Sequence, residues 1–393
     1  MRKLKGALSI ASNSYGMPTG YGQQTKLLID RLLRSGMKVA NLSNFGLEGS
    51  IEKKKTPYGS FTMYPKGFRP YSDDVIPLWH AHHVAKNPDM PNALLTLYDV
   101  WVYNEMKFEG DILSWVPLDH STLPPNVLKF LQRDNVYPIT MSPHGKRQLD
   151  AIGMANTYIP HAVDTSVYKP TKTLQGEPTR RILDVPDDAF LVSIVAANKA
   201  DGRVHRKALS EAILSFALFK KKNPDAYLYL HLDPSNAFGG FRIPPLLKSV
   251  GLDEDTVRIA NPHELRIGYP ERDVAALYTA SDVLLSPSMG EGFGVCLIEA
   301  QACGVPVITS SWTAPQDLAG PDSWLVQGQP HYDEPQQAWM EVPLVDSIVN
   351  ALQAAYDAPR GTSESSIEFA KQFDADRVFA EYWLRFLEER FPG

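Results

Sequence analysis

Short apolar runs alternate with stretches of helical periodicity along almost all of this 393-residue chain, and that alternation limits the folds open to it. GALSIAS near the start reads as a buried strand. QQTKLLIDRLLRSG then places Leu27, Leu28, Leu32 and Leu33 on one helical face before a terminating glycine. MKVANLS, ALLTLYDVWV, DILSWVPL and PITMS read as further strands, with NVLKFLQR helical among them. This order specifies an α/β fold built on parallel sheets. Ligands of such sheets bind beyond the carboxyl ends of the strands, so the informative residues are those that follow strands.

A second run begins after TKTLQGEPTRRILDVPDD, which is polar, contains proline and has no period; it reads as an interdomain linker. FLVSIVAAN, AYLYLHL, DVLLSPS and PVITSS are the strands of this run, and ALSEAILSFALFKKK and DVAALYTA its helices. The length suits two domains, expected at 1–165 and 166–374, each a Rossmann-like doubly wound sheet, the two facing a central cleft. The tail RVFAEYWLRFLEER is an amphipathic helix with Val378, Phe379, Tyr382, Trp383, Phe386 and Leu387 on one stripe. Residues 375–393 are expected to pack back on the first domain.

Composition excludes several classes. Hydrophobic residues make up 44% and charged residues 21%, as in ordinary globular proteins. A net charge of -6 does not favour a polyanion, so a nucleic-acid partner would need a local basic patch. The two cysteines, Cys296 and Cys303, are two helical turns apart, too far for a disulfide on one helix, and they form no zinc pattern. No run is apolar enough for a signal peptide or a membrane span. The expectation is a soluble cytoplasmic protein. KKKTPYGSFTMYPKGFRPY (53–71) reads as a hairpin with solvated lysines, its alternative being a face for an acceptor or a membrane surface.

Two glycine loops follow strands. In Gly16-Met17-Pro18-Thr19-Gly20-Tyr21-Gly22, Thr25 stands where the third glycine of a dinucleotide fingerprint belongs, and no P-loop pattern occurs anywhere. Bare backbone ahead of a helix suits an anion, and equally a tight strand-to-helix turn. In Met289-Gly290-Glu291-Gly292-Phe293-Gly294, a carboxylate lies within the glycines and a second, Glu299, lies on the following helix. Acceptor-only side chains beside open backbone suit a polyhydroxylated, phosphorylated ligand. The plainer reading is a helix-start carboxylate and an exposed helical glutamate. Lys199, Arg203, Arg206 and Lys207 follow the strand FLVSIVAAN. Cations at a helix start oppose its dipole, which favours a functional reading over the plainer one of a solvated helix start.

EGFGVCLIEAQACGVPVI resembles the E-x7-E segment of retaining GT-B glycosyltransferases, especially family GT4. PTGYGQQTKLLIDRL, ITMSPHGKRQLDAIG, YIPHAVDTSVYKP, ANKADGRVHRKALSEAILSF and YPERDVAALYTASDVLLSPSMGEGFG resemble the same family in the same order. The resemblance implies a sugar-nucleotide donor in the second domain and an acceptor mainly on the first. It implies that Glu299 holds the ribose and Glu291 the transferred sugar, with Phe293, Gly294 and Val295 near sugar and phosphate. Gly22 would approach the diphosphate. A family arginine falls near Asn198, leaving Arg206, Arg203 or Lys199 to complete the charge beside Lys207. His120, after DILSWVPL, matches a histidine near the sugar, or is structural with Asp119 fixing its tautomer. Tyr269 and Pro270 would lie near the base. His161 reads as interdomain packing.

The reaction implied moves a hexose from a UDP-, GDP- or ADP-sugar to an acceptor hydroxyl with retained configuration, by front-side attack and without metal or other cofactor. The acceptor is open among glycan, lipid, protein and modified nucleic acid. A silent sugar-nucleotide-binding protein and a GT-B epimerase stand as alternatives; a phosphorylase would need a cofactor lysine that has no place in the sequence.

Overall fold

Strands β1 (Ala7–Ser12), β2 (Lys38–Ser43), β3 (Glu52–Thr56), β4 (Gly59–Tyr64), β5 (Asn92–Leu97), β6 (Ile112–Val116), β7 (Val136–Thr140) and β8 (Thr157–Tyr158) form the first sheet. The computed structural model describes residues 3–200, 204–237 and 239–392. The strand order is β3-β4-β2-β1-β5-β6-β7-β8, parallel throughout except for the β3–β4 pair. All six residues of β1 are buried, as expected of a strand covered on both faces, and its polar positions are the small Ser9 and Ser12. Lys53, Lys54 and Lys55 lie exposed on β3 at the sheet edge, where charge blocks pairing with another chain.

The chain divides into two units. One holds residues 1–118, 123–162 and 375–393, and the other residues 119–122 and 163–374. Two local expectations change in the first unit. The first long helix runs Gly20–Ser35, so it starts inside the expected glycine loop: Thr19 is its cap and accepts from Gly22 N at 3.1 Å. Strand β5 stops at Leu97, because residues 100–103 turn into a 3-10 helix after Asp99. The tail stripe is largely buried, but a π-helical turn over Phe379–Trp383 interrupts the expected α-helix and Tyr382 is only half-buried. Val378, Phe379, Trp383, Phe386 and Leu387 are buried, and Trp383 meets Trp115 edge-on at 4.9 Å. His161, read above as interdomain packing, sits edge-on to Trp115 at 4.7 Å within this same unit.

In the second unit, β9 (Thr173–Leu174) and β10 (Glu177–Pro178) make a small hairpin. The sheet contains β11 (Phe190–Val195), β12 (Ala226–His231), β13 (Val257–Ile259), β14 (Val283–Ser286), β15 (Val307–Ser310) and β16 (Trp324–Val326). It is parallel in the order β13-β12-β11-β14-β15-β16. A second hairpin, β17 (Gly328–Asp333) and β18 (Ala338–Pro343), follows it.

Both faces of this sheet are covered. Phe190, Val192 and Ile194 of β11 pack with the Leu209–Lys220 and Val345–Asp357 helices. Leu191, between them, joins Ala276 and Leu277 on the other side. Strand period two thus feeds two cores, each buried Phe, Leu or Val contributing about 1.5–3 kcal/mol.

The expected linker at 171–188 is folded structure instead. Leu174 and Val185 are in the core, and Arg180 donates to Ala280 O, Ala189 O, Asp187 O and Pro186 O while pairing with Asp282 at 2.8 Å. A polar stretch organised around one arginine carries no hydrophobic period. Among the described residues no helix is long and apolar enough to cross a membrane.

Candidate functional site

The segment after β14 runs 287–294 without regular structure and enters the Val295–Ala302 helix. Its path is fixed from both sides. Met289 N donates to Arg206 O at 2.7 Å, and Trp312 Nε1 donates to Met289 O at 2.8 Å. Two glycines here have identifiable duties. A Cβ on Gly290 would lie 2.0 Å from Asp119 O, and Gly294 caps the helix at φ 106, a conformation side chains disfavour. The preceding cation segment is also shaped by backbone. Ala208, capping the Leu209–Lys220 helix, is left-handed at φ 49, which for a residue with a Cβ costs about 1–3 kcal/mol. That turn sets Lys207 beside Glu291.

Glu291 Oε1 accepts from Lys207 Nζ, and its Oε2 lies 3.1 Å from Arg206 Nη1. Burial alone would raise its pKa, but Lys207 and Arg206 override that and hold the carboxyl at about 2. Arg206 also donates to Gly290 O and lies 3.5 Å from Asp119 Oδ2. Among the described residues, Arg206 is the cation that shares Glu291 with Lys207. Lys199 is exposed, and Arg203 lies outside the described residues.

Glu299 occupies the opposite setting. It is half-buried, with Tyr278 Oη donating to it at 2.9 Å and Tyr168 bonded to it as well. Burial raises its pKa to about 7, only partly offset by those hydroxyls. Cys296, one helical turn earlier, is pushed up to about 12 by burial and feels Lys207, Glu291 and Glu299. Phe293 is buried 5.7 Å from Phe373, and Val295 opens the helix. Tyr269 stands 4.9 Å from His231, with Pro270 capping the Glu271–Ala280 helix.

Three further candidates are held by contacts of their own. Asn198 is bonded to backbone on every side. Its Nδ2 donates to Asp233 O, Ser235 O and Phe241 O at 2.7–2.9 Å, and its Oδ1 accepts from Phe241 N, so the side chain is spent on the backbone of Asp233, Ser235 and Phe241. Gly22 is required from within: its N–H bonds the Thr19 cap, and a Cβ would lie 2.5 Å from Met17 O. His120 commits both ring nitrogens to carboxylates, Nδ1 to Asp119 at 2.8 Å and Nε2 to Asp333 at 3.1 Å. Neither nitrogen is open to take a proton from an acceptor.

Sequence reasoning gave no role to Asp333, Tyr278 or Tyr168. Asp333 is 213 positions from the histidine it bonds, and nothing local marks it. Tyr278 was legible as helical and its helix was placed, but its partner across the site was not.

A profile of the family described as Glycosyl transferases group 1 matches residues 247–337. The curated D-inositol 3-phosphate glycosyltransferase of Corynebacterium kroppenstedtii is 30% identical over 152 residues, covering 37% of this chain and 31% of that protein. The one from Stackebrandtia nassauensis is 28% identical over 244 residues, covering 58% and 48%. The chain thus spans under half the length of these relatives. Among solved structures, sucrose-phosphate synthase from Thermosynechococcus elongatus superposes with a TM-score of 0.72 at 18% identity, covering 98% of this chain and 99% of that one. The α,α-trehalose 6-phosphate synthase of Burkholderia multivorans does so at 0.68 and 13%, covering 99% of each. At these identities the likeness shows the fold, which is GT-B.

Proposed function

We propose, from the premise that this chain carries a domain of the Glycosyl transferases group 1 family on a GT-B fold, that it is a retaining glycosyltransferase using a nucleoside-diphosphate sugar. The observation that carries this reading is the pair of cations on Glu291 in a glycine-rich turn, with Glu299 on the helix that the turn leads into.

Each part has a chemical task. The N–H groups of Phe293, Gly294 and Val295 lie at a helix start and suit phosphate oxygens. Lys207 and Arg206 take up the negative charge that develops as the nucleoside diphosphate leaves, and stabilise it most where water is scarce. With two cations so placed, the reaction does not require a metal. Glu291, ionised at neutral pH, accepts from hydroxyls of the transferred sugar. Glu299 accepts from the ribose. The departing phosphate is the base for the acceptor hydroxyl, which attacks on the face the leaving group vacates. Donor base, sugar and acceptor are for experiment to supply.

Nucleotide release is to be followed over a panel of UDP-, GDP- and ADP-sugars, with the anomeric configuration of any product read by NMR. Turnover of one donor with retained configuration supports the proposal. Absence of binding and turnover across the panel sinks it, and an inverted product refutes the retaining mechanism.

A further inference from the structure

Six charged side chains from four stretches of the second unit form a continuous run of alternating sign. Asp333 lies 3.1 Å from His120 Nε2, and His120 Nδ1 lies 2.8 Å from Asp119 Oδ1. Asp119 Oδ2 is 3.5 Å from Arg206, Arg206 is 3.1 Å from Glu291, and Glu291 bonds Lys207. Side-chain exposure is 7% at Asp333 and 4% at His120, and no more than 22% anywhere in the run. Unpaired charge is costly at such depth, so the run is stable only when its signs balance. It holds three carboxylates, one lysine and one arginine, and balances when His120 is protonated. The contacts push His120 that way: burial alone would lower its pKa, but Asp119 and Asp333 together raise it.

The hairpin β17–β18 is what brings Asp333 there. Ser121 N donates to Trp339 O at 2.7 Å, Trp339 N donates to Thr122 Oγ1 at 3.0 Å, and Met340 packs on Met289 and Ala208. The hairpin therefore grips residues 119–122 by backbone and by carboxylate, directly against the loop that carries Glu291. Gly290, with Asp119 O against its Cα, fits the same contact.

We infer that Asp333 is a positioning residue for sugar transfer: with Asp119 it clamps the His120 ring, and the clamped ring holds Asp119 against Arg206 and so sets Glu291 and Lys207. The inference rests on the transferase reading above. In it, His120 acts as a fixed positive link rather than as a proton acceptor. The sign of its pH dependence follows. The link is complete below the pKa of His120 and is lost as pH rises through it, with Asp119 and Asp333 on the ring and Arg206, Glu291 and Lys207 next along the run.

The test is Asp333→Asn, which keeps the shape and removes the charge, beside Asp333→Glu and the native protein. Donor turnover is measured against pH, and the His120 ring is titrated by NMR. In Asp333→Asn, kcat should fall between about ten- and a hundredfold with donor KM within about twofold. The alkaline limb of kcat and the His120 titration should both move to lower pH, and Asp333→Glu should restore the limb. An unmoved limb and an unmoved His120 titration in Asp333→Asn overturn the inference. So does a His120 that titrates below the ordinary histidine range in the native protein, a reading that needs no variant to fold. If the native protein turns over no donor, the transferase reading has failed, while the His120 titration still decides the clamp.

Discussion

Glu291 and Glu299 are the same residue type, eight positions apart, yet they sit in opposite surroundings. Lys207 and Arg206 hold the first at about 2. The second faces two tyrosine hydroxyls, and burial takes it to about 7. A carboxylate amid cations is permanently charged and rigidly held, which suits it to a sugar beside a leaving diphosphate. One among phenols changes charge near neutrality and offers two acceptors to a diol. The difference teaches that environment assigns the roles and that spacing only makes them possible.

The largest effect expected from breaking this contrast is at the charged end. Lys207→Ala should lower kcat by about 10²–10³-fold, with a smaller change in donor affinity, because the lost charge is needed mainly as the diphosphate departs. Steady-state nucleotide release reads it, and full turnover in that variant would remove Lys207 from the leaving-group role. Next comes the other end. Glu299→Ala should weaken donor binding by about 10- to 100-fold with kcat nearly kept, measured as KM against kcat.

The third prediction uses the pKa of Glu299. Ionised Glu299 binds the diol better, so donor affinity should rise as pH increases through about 7, by up to about tenfold between roughly pH 6 and pH 8. Calorimetry at several pH values should show this slope in the native protein and none in Glu299→Gln; Glu291, already ionised, adds no slope in that range. The smallest effect belongs to Tyr278→Phe. Removing a hydroxyl that favours the charged form should shift the affinity limb to higher pH and cost about threefold in affinity at neutrality. A shift in the other direction would mean that Tyr278 does not donate to Glu299.

Much of this was legible in the chain because it is local. The central strands of both sheets announce themselves by apolar runs, whereas the short strands β8, β13 and β16 carry too few residues to do so, and the Glu291–Glu299 segment is marked by its glycines. Lys207 was legible as a cation where a helix dipole disfavours one. What was hidden depends on contacts distant in sequence. The 171–188 stretch is polar because Arg180, not an apolar face, organises it. Asn198 looked like a gap in a charge pair and is spent on the backbone of Asp233 and Phe241. Asp333 shows itself only when a hairpin brings it to His120. Gly22 and Gly290 were visible only as members of glycine loops; what requires them is the carbonyls of Met17 and Asp119.

The central claim is that the two glutamates read the two ends of one sugar nucleotide. The measurement that tests it most directly is calorimetric binding of the nucleoside diphosphate alone and of the matching sugar nucleotide to the native protein, Glu291→Ala and Glu299→Ala. The account predicts that Glu299→Ala weakens both ligands equally, and that Glu291→Ala removes only the difference between them. Equal losses for both ligands in Glu291→Ala, or unchanged nucleoside diphosphate binding in Glu299→Ala, would contradict it.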